Sequence, residues 1–421
     1  MKKNAFLVDF SLLQHNPHFR CIFIARLISV FAFGLLMVAV PVQIHQLTGS
    51  PLQVGAAMAL DGLGMFAGLM CGGVLADRLD RRKLILLGRA SCGLGFLALA
   101  ANGFLTQPSL LALYAVSAWD GFFSGIGITS LMAAIPAIVG RENLPAAGAL
   151  AMLTMRLGAV LSPLLGGAVI AAASVNCNYL LAGLGTLLTL IPLTRLPALP
   201  PQGGEPSHPL RALGEGFAFL WTDKVVGAAV AAGTLQALLA SVRVLYPALA
   251  ENGFGGGGFA VGLMYSAAPL GAMLGAFASG WVGGLRRPGL VMLTALLASS
   301  LALAWLGVAR HLAFALLALA LLGYFGSIVS LLQFTLVQGR TPDRLLGRVN
   351  GLWSAQDVVG DSLGALTMGM LARLLAPLLA GAALGLAVGT AALAMLAGCR
   401  QLRGLDNGRQ QASPQSAAQQ D

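Results

Sequence analysis

Twelve apolar stretches, at about residues 19–46, 52–76, 84–105, 109–138, 146–172, 178–196, 224–250, 259–285, 288–308, 312–338, 346–375 and 377–399, occupy nearly the whole chain. About 20 apolar residues wound into a helix cross the roughly 30 Å hydrocarbon core of a bilayer, where every backbone polar group must be satisfied within the protein. A soluble fold is excluded from the other side as well. With 57% hydrophobic and 10% charged residues, a chain of 421 residues lacks the polar surface to cover such a core in water.

One connection differs from the rest. Between residues 197 and 224 lie Pro197, Pro200, Pro201, Pro206 and Pro209 with Gly203, Gly204 and Glu205, a composition that cannot span a membrane. It divides the chain into residues 1–196, a linker at 197–223, residues 224–400, and a tail at 401–421 expected to be cytoplasmic and disordered. Internal repetition supports the division: Arg141-Glu142-Asn143-Leu144 precedes the fifth stretch much as Pro342-Asp343-Arg344-Leu345 precedes the eleventh. The predicted fold class is an all-α polytopic membrane protein with twelve transmembrane helices in two pseudo-symmetric six-helix bundles. Repeats of this kind point to a transporter with its site between the halves.

Of 25 Lys and Arg, four lie well inside the helices (Arg26, Arg89, Arg156, Arg243), two lie toward the outer side (Arg310, Arg373), and the other 19 fall in inner loops, inner helix ends or tails if both termini are cytoplasmic. The positive-inside rule selects that orientation. The net charge of +10 is therefore spread through short loops, and no nucleic-acid partner is expected. Lys2 and Lys3 precede Asp9 without a small-residue cleavage site, so the first stretch is read as an uncleaved insertion signal. Cys21, Cys71, Cys92, Cys177 and Cys399 imply no disulfide framework.

Charges inside a bilayer are costly and turn toward a bundle interior or a water-filled cavity. Stretches 6, 9 and 12 have none at their centres and the third only Arg89, so these four can face lipid. Arg26, Asp61, Asp120, Arg156, Arg243, Asp357 and Asp361 belong to the others and are expected to face inward. Asp120 and Arg156 each lie about 16 Å from a membrane face, near the midplane. Asp357 and Asp361 are four residues apart and share a helix face; two carboxylates so close in a low-dielectric setting suit proton capture and release.

The run from Gly73 to Lys83 (Gly-Val-Leu-Ala-Asp-Arg-Leu-Asp-Arg-Arg-Lys) resembles the loop signature of the major facilitator superfamily. Gly73 would let a neighbouring helix approach, and Asp77 would pair with Arg81 one turn on. In that family such contacts latch the inner gate, which makes Gly73, Asp77, Arg78 and Arg81 the gate candidates. A topogenic basic loop explains the charges but not the glycine and acid spacing. Asp80 stands where the family usually has glycine, and the matching stretch Gly280 to Gly289 has Gly284 in place of the acid. Arg156 to Gly167 is similar to the fifth-helix motif of the family's exporters, with Ser162 replacing a glycine and Pro163 expected to kink the helix.

The runs Arg26-Leu27-Ile28-Ser29, Ala39 to Ile44, Trp119 to Phe123, Val242 to Ala250 and Asn350-Gly351-Leu352-Trp353 resemble, more closely, the enterobactin-exporter family within that superfamily. This resemblance implies proton-coupled export of a catecholate siderophore from cytoplasm to periplasm by alternating access, across the bacterial inner membrane. Its partners would be the siderophore, protons and the lipid bilayer; handover to an outer-membrane efflux channel is compatible with that route, and a monomer is expected. Arg26, Arg156 and Arg243 would supply charge to such a ligand, with Asp120 beside them, and Trp119, Tyr246 and Trp353 would offer stacking faces. Static pairing of the arginines with Asp120 or Asp357, and core packing of the aromatics, are the competing structural readings. Asp61, Asp120, Asp357 and Asp361 are the candidate proton carriers. A broad amphiphile exporter and a non-transporting membrane receptor or scaffold are the alternatives.

No enzyme is expected. Gly360-Asp361-Ser362-Leu363-Gly364 matches a nucleophile-elbow pattern but sits inside an apolar stretch rather than at a strand-to-helix turn. None of the four lysines follows a glycine, so no Walker A loop is present, and the five histidines have no metal-ligand spacing; no cofactor and no metal are predicted.

Overall fold

The computed structural model describes residues 10–201, 214 and 218–405. Most of the linker, residues 202–213 and 215–217, and the tail from 406 onward lie outside the described residues. The long helices are α1 Pro17–Thr48, α2 Pro51–Arg78, α3 Arg81–Gly103, α4 Leu110–Val139, α5 Leu144–Ala172 and α6 Val175–Leu188. They continue as α7 Lys224–Ala240, α8 Gly258–Phe277, α9 Pro288–Leu306, α10 Leu312–Arg340, α11 Asp343–Leu374 and α12 Pro377–Gly398. Among the described residues there is no strand.

Local chemistry sets the ends. Asn16 accepts the Phe19 N–H at 2.9 Å, which caps α1, and donates to the Ile138 carbonyl at 2.8 Å, which ties that cap to the end of α4. Gly49, at φ 62, closes α1 in the left-handed conformation, and Pro51 opens α2 at its first turn. Asp223 caps α7 by accepting from Val225 and Val226. Among the described residues, eleven helical spans are long and apolar enough to cross a membrane. The twelfth, α11, has 32 residues but carries Gln356, Asp357, Asp361 and Ser362 along its middle, which makes it the most polar of the set. Leu111, Met132, Leu184 and Leu386 stand exposed on helix surfaces, as lipid-facing side chains do.

Three stretches read as simple helices are broken. The seventh changes after Ala240 into a 3-10 turn at Ser241–Leu245, a short α turn at Tyr246–Ala248 and a π turn at Leu249–Gly253. Pro247 has no N–H and crowds the preceding turn, so regular i to i−4 bonding cannot run through it. The eighth tightens to 3-10 geometry over Ala278–Gly284, where three glycines weaken the helix. The sixth pauses at Thr189 before a last turn, Leu190–Leu193, that contains Pro192.

The chain forms two compact units. The first takes Met1–Pro206 together with Tyr246–Ser266. Within it α2 lies against α4 and α1 against α5 and α6. The α2–α4 seam is backbone on backbone: a Cβ at Gly125 would fall 2.6 Å from the Leu69 nitrogen, and one at Gly68 or Gly121 would overlap the facing carbonyls of Phe122 and Asp61. The second unit takes Ser207–Leu245 and Ala267–Asp421, with α9 packed on α10 and α12, and α7 on α10 and α11. The path of the chain thus leaves the second unit at Leu245 and returns to it at Ala267.

Candidate functional site

In the first unit the charged centre is built on α4. Asp120 is buried; its Oδ1 accepts from Ser124 Oγ at 3.3 Å, and the Cys92 thiol lies 3.5 Å from the same hydroxyl. Arg89, one turn before Cys92 on α3, is within electrostatic reach of both Asp120 and Arg26. Gly88 makes room for this, since a Cβ there would sit 2.9 Å from the Phe123 carbonyl. Arg89 is thus turned toward an acid, the partner that offsets its desolvation, while Leu87 and Leu94 of the same helix stand exposed. The position of Arg89 within an apolar stretch was the signal for it, and it belongs with the site candidates.

Trp119 takes another direction from its neighbour Asp120. Its indole N–H donates to the Ser91 carbonyl at 3.0 Å and its ring lies 4.6 Å from Phe123, leaving it 48% exposed at the α3–α4 seam. Arg26 on α1 is half-buried, and Arg156 on α5 is exposed; among the described residues neither is in an ion pair with Asp120 or with any other acid. Asp61 lies on α2, half-buried, at the point where Gly121 of α4 approaches the backbone.

In the second unit Arg243, in the 3-10 turn, forms an ion pair with Asp361 of α11, both side chains partly buried. The break in α7 decides this, because tightening the turn resets which residue points at α11. Asp357, one turn earlier, is exposed. Gln356 fixes the seam by donating to Thr234 Oγ1 at 2.9 Å and to the Val230 carbonyl at 3.2 Å. Trp353 is half-buried against Phe334, ring centres 5.7 Å apart.

The α2–α3 connection departs from its expected geometry. The helix ends at Arg78 and a new one begins at Arg81, so Asp77 and Arg81 are not on successive turns and no ion pair joins them among the described residues. Arg81 is buried and donates to the carbonyls of Ala76 at 3.2 Å and Ala133 at 2.9 Å; Asp77 and Arg78 are exposed. Nothing lies within 4 Å of a Cβ at Gly73, whereas Gly72 is the close-approach glycine, 2.8 Å from the Ile126 Cα by the same measure. Asp80 has a role of its own. Its Oδ1 caps α3 at Arg82 N, 2.9 Å, and accepts the Leu199 N–H at 3.1 Å, while Arg81 N–H donates to the Leu199 carbonyl at 3.0 Å. Arg82 adds a bond to the Thr194 carbonyl at 2.5 Å. The connection thereby holds the chain that leaves α6. Asp80→Ala is expected to cost about 1 kcal/mol through the lost cap, read as a lower thermal-unfolding midpoint of the purified protein in detergent. An unchanged midpoint would show that Leu199 is held without it.

On α5, Pro163 sits inside an unbroken helix. Ser162, in a glycine's usual place, donates to the Gly158 carbonyl at 2.6 Å and is accommodated because Gly34 faces it. The returning segment packs here. A Cβ at Gly262 would lie 2.5 Å from the Pro163 carbonyl and 2.9 Å from the Gly167 Cα, and Ser266 Oγ donates to the Val160 carbonyl at 2.7 Å. Tyr246 is buried edge-on to Tyr265, centres 4.8 Å apart, a packed position rather than an open stacking face. His45 near the end of α1 meets Glu251 of the π turn at 3.2 Å, a contact that sequence spacing did not signal. Among the described residues no group of three His, Cys, Asp or Glu could hold a metal ion.

The sequence profile of the Major Facilitator Superfamily matches residues 22–365. The chain is 48% identical over 406 residues to the enterobactin exporter EntS of Shigella boydii, covering 96% of this chain and 97% of that protein, and the EntS of Escherichia fergusonii matches to the same extent. Among solved structures, a peptide transporter POT in complex with sulfate superposes with TM-score 0.71 at 15% identity, over 96% of this chain and 97% of that one. The nucleoside transporter NupG gives 0.71 at 13%, over 90% and 99%. At those identities the structures speak for the fold alone. The chain belongs to the Major Facilitator Superfamily and is a multi-pass membrane transporter, not an enzyme.

Proposed function

We propose that this transporter exports an enterobactin-like catecholate siderophore from cytoplasm to periplasm, by alternating access driven by proton influx. The observation that carries the reading is the 48% identity, spanning nearly the full length of both chains, to proteins named as enterobactin exporters. The site chemistry supports it: Arg156, exposed and in no ion pair among the described residues, and Arg26, half-buried, offer cationic partners in mid-helix to an aromatic, partly ionised ligand. In this reading the membrane is the bacterial inner membrane, both termini are cytoplasmic, residues 1–196 and 224–400 are the rocking halves, and 197–223 and 401–421 are cytoplasmic. Gly73, Asp77, Arg78 and Arg81 serve the inner gate, with Asp77 and Arg78 as its mobile charges and Arg81 as its anchor. The protein acts as a monomer and passes its ligand on toward an outer-membrane channel.

The test is flux into inside-out vesicles with and without an imposed pH gradient, using the iron-free cyclic siderophore and an unrelated amphiphile. Gradient-dependent accumulation of the siderophore alone is expected. Equal movement of the amphiphile would establish a broad exporter, and no gradient-dependent flux of either would overturn proton coupling. Arg156→Lys should reduce siderophore flux about tenfold, equivalent to about 1.4 kcal/mol, because an ammonium cannot stack or donate in a planar fork. Parental flux in that variant would reduce Arg156 to charge balance.

A further inference from the structure

We propose that His45 and Glu251 form a proton-sensitive latch, which holds the α7–α8 connection against the end of α1 when the imidazole is protonated. His45 is 5% exposed and Glu251 65%, with Nε2 3.2 Å from Oε2. The second ring nitrogen, Nδ1, is buried with no hydrogen-bond partner among the described residues. A buried imidazolium is costly unless an acid offsets it, and here one of its two N–H groups is satisfied and the other is not. With a neutral imidazole the contact falls to an ordinary hydrogen bond, and histidine makes that change between about pH 5 and pH 8.

The surroundings leave Glu251 as the counter-ion. The first turns of α2, Pro51 to Leu60, and the last of α5, Leu164 to Ala172, carry no ionisable side chain. From α6 come Cys177 and Tyr179, and the Tyr179 hydroxyl donates to Gln43 Oε1 at 2.7 Å. The returning segment adds Tyr246 and Tyr265, packed on each other. That segment is also built to move as a piece. The π turn is closed by Phe254 N–H to the Leu249 carbonyl, 3.0 Å, and Gly256 N–H to the Ala250 carbonyl, 2.7 Å, and it is followed by Gly255 to Gly258, with Gly255 at φ 63. Only a glycine takes that conformation freely, so the connection has a hinge next to its charged contact.

The latch rests on the orientation proposed above, in which this end of α1 faces the periplasm. An acidic periplasm then favours closure behind released ligand. The test uses the full chain in lipid nanodiscs, with the five native cysteines replaced by serine and spin labels at Gln46→Cys and Asn252→Cys, both exposed positions. Pulsed dipolar distances are compared at about pH 5.5 and about pH 8. A single short distance is expected in acid, with a longer-distance population at least about fivefold larger at the higher pH. Glu251→Gln and His45→Gln should each give the same distribution at both. Because Glu251 is exposed, its variant keeps the test valid if the His45 variant folds poorly. A pH-dependent shift that survives Glu251→Gln, or no shift in the parent, overturns the latch. The readout needs no transport, so siderophore flux measured at one fixed pH tests the export reading separately.

Discussion

Asp357→Asn is expected to bring pH-gradient-driven accumulation to background while siderophore exchange down its own gradient persists within about twofold of the parent. Asp361→Asn should damage both. The distinction comes from the α7–α11 seam. Asp361 is committed to Arg243, whereas Asp357, on the same helix face, is exposed and in no ion pair among the described residues. Removing the Asp357 charge takes away a proton site and leaves the seam intact. Removing the Asp361 charge takes one acid away from the Arg243 guanidinium. For a fully buried pair that costs about 3 to 5 kcal/mol, and the partial exposure of this one lowers the figure to about 1 to 2 kcal/mol, enough to reduce yield and thermal stability. Paired vesicle measurements, with and without the pH gradient, separate the two effects. Gradient-driven accumulation by Asp357→Asn at the parental level would move the proton carrier elsewhere, with Asp120 next to be tested.

Gly262→Leu is expected to reduce transport to less than a tenth of the parent at matched protein level, with Gly262→Ala intermediate. The atoms a side chain would meet are the Pro163 carbonyl and the Gly167 Cα, both backbone, so the obstruction cannot turn aside as a flexible side chain would. Overpacking of this kind costs about 1 to 3 kcal/mol. At 1.4 kcal/mol per factor of ten, a cost of about 2.8 kcal/mol borne only by the state in which α5 and α8 touch shifts that state's population about a hundredfold. A carrier that must visit the state each cycle slows accordingly, while folding survives through states that separate the seam. Vesicle flux together with a size-exclusion profile checks both halves of the expectation. Parental flux in Gly262→Leu would mean that the α5–α8 contact is not part of the cycle.

The gate residues illustrate the limits of reading motifs by spacing. Asp77 and Arg81 are four apart, the spacing of a helical ion pair, yet a helix boundary at Leu79 and Asp80 lies between them and Arg81 is spent on carbonyls. Asp80, which departs from the family pattern, caps the next helix and anchors Leu199. Spacing is informative only while the helix continues, and a cap is a statement about where it stops.

Along the chain, the cost of placing charge or unsatisfied backbone in hydrocarbon is large enough to show in one dimension. That cost made the apolar crossings legible, put Arg26, Asp61, Asp120, Arg156, Arg243, Asp357 and Asp361 inside them, and separated this chain from any soluble class. It also sufficed, with the Gly73 to Lys83 run, to place the chain in its superfamily. Which groups meet was not legible. Arg243 finding Asp361, Arg89 turning toward Asp120, and His45 meeting Glu251 all depend on how each helix is rotated and on the break that Pro247 puts into α7. Each residue advances a helix by 100°, so a tightened turn reassigns every later partner. Sequence periodicity records the angle between residues of one helix; the angle between one helix and its neighbour is set only when the glycine seams and side chains of both pack together.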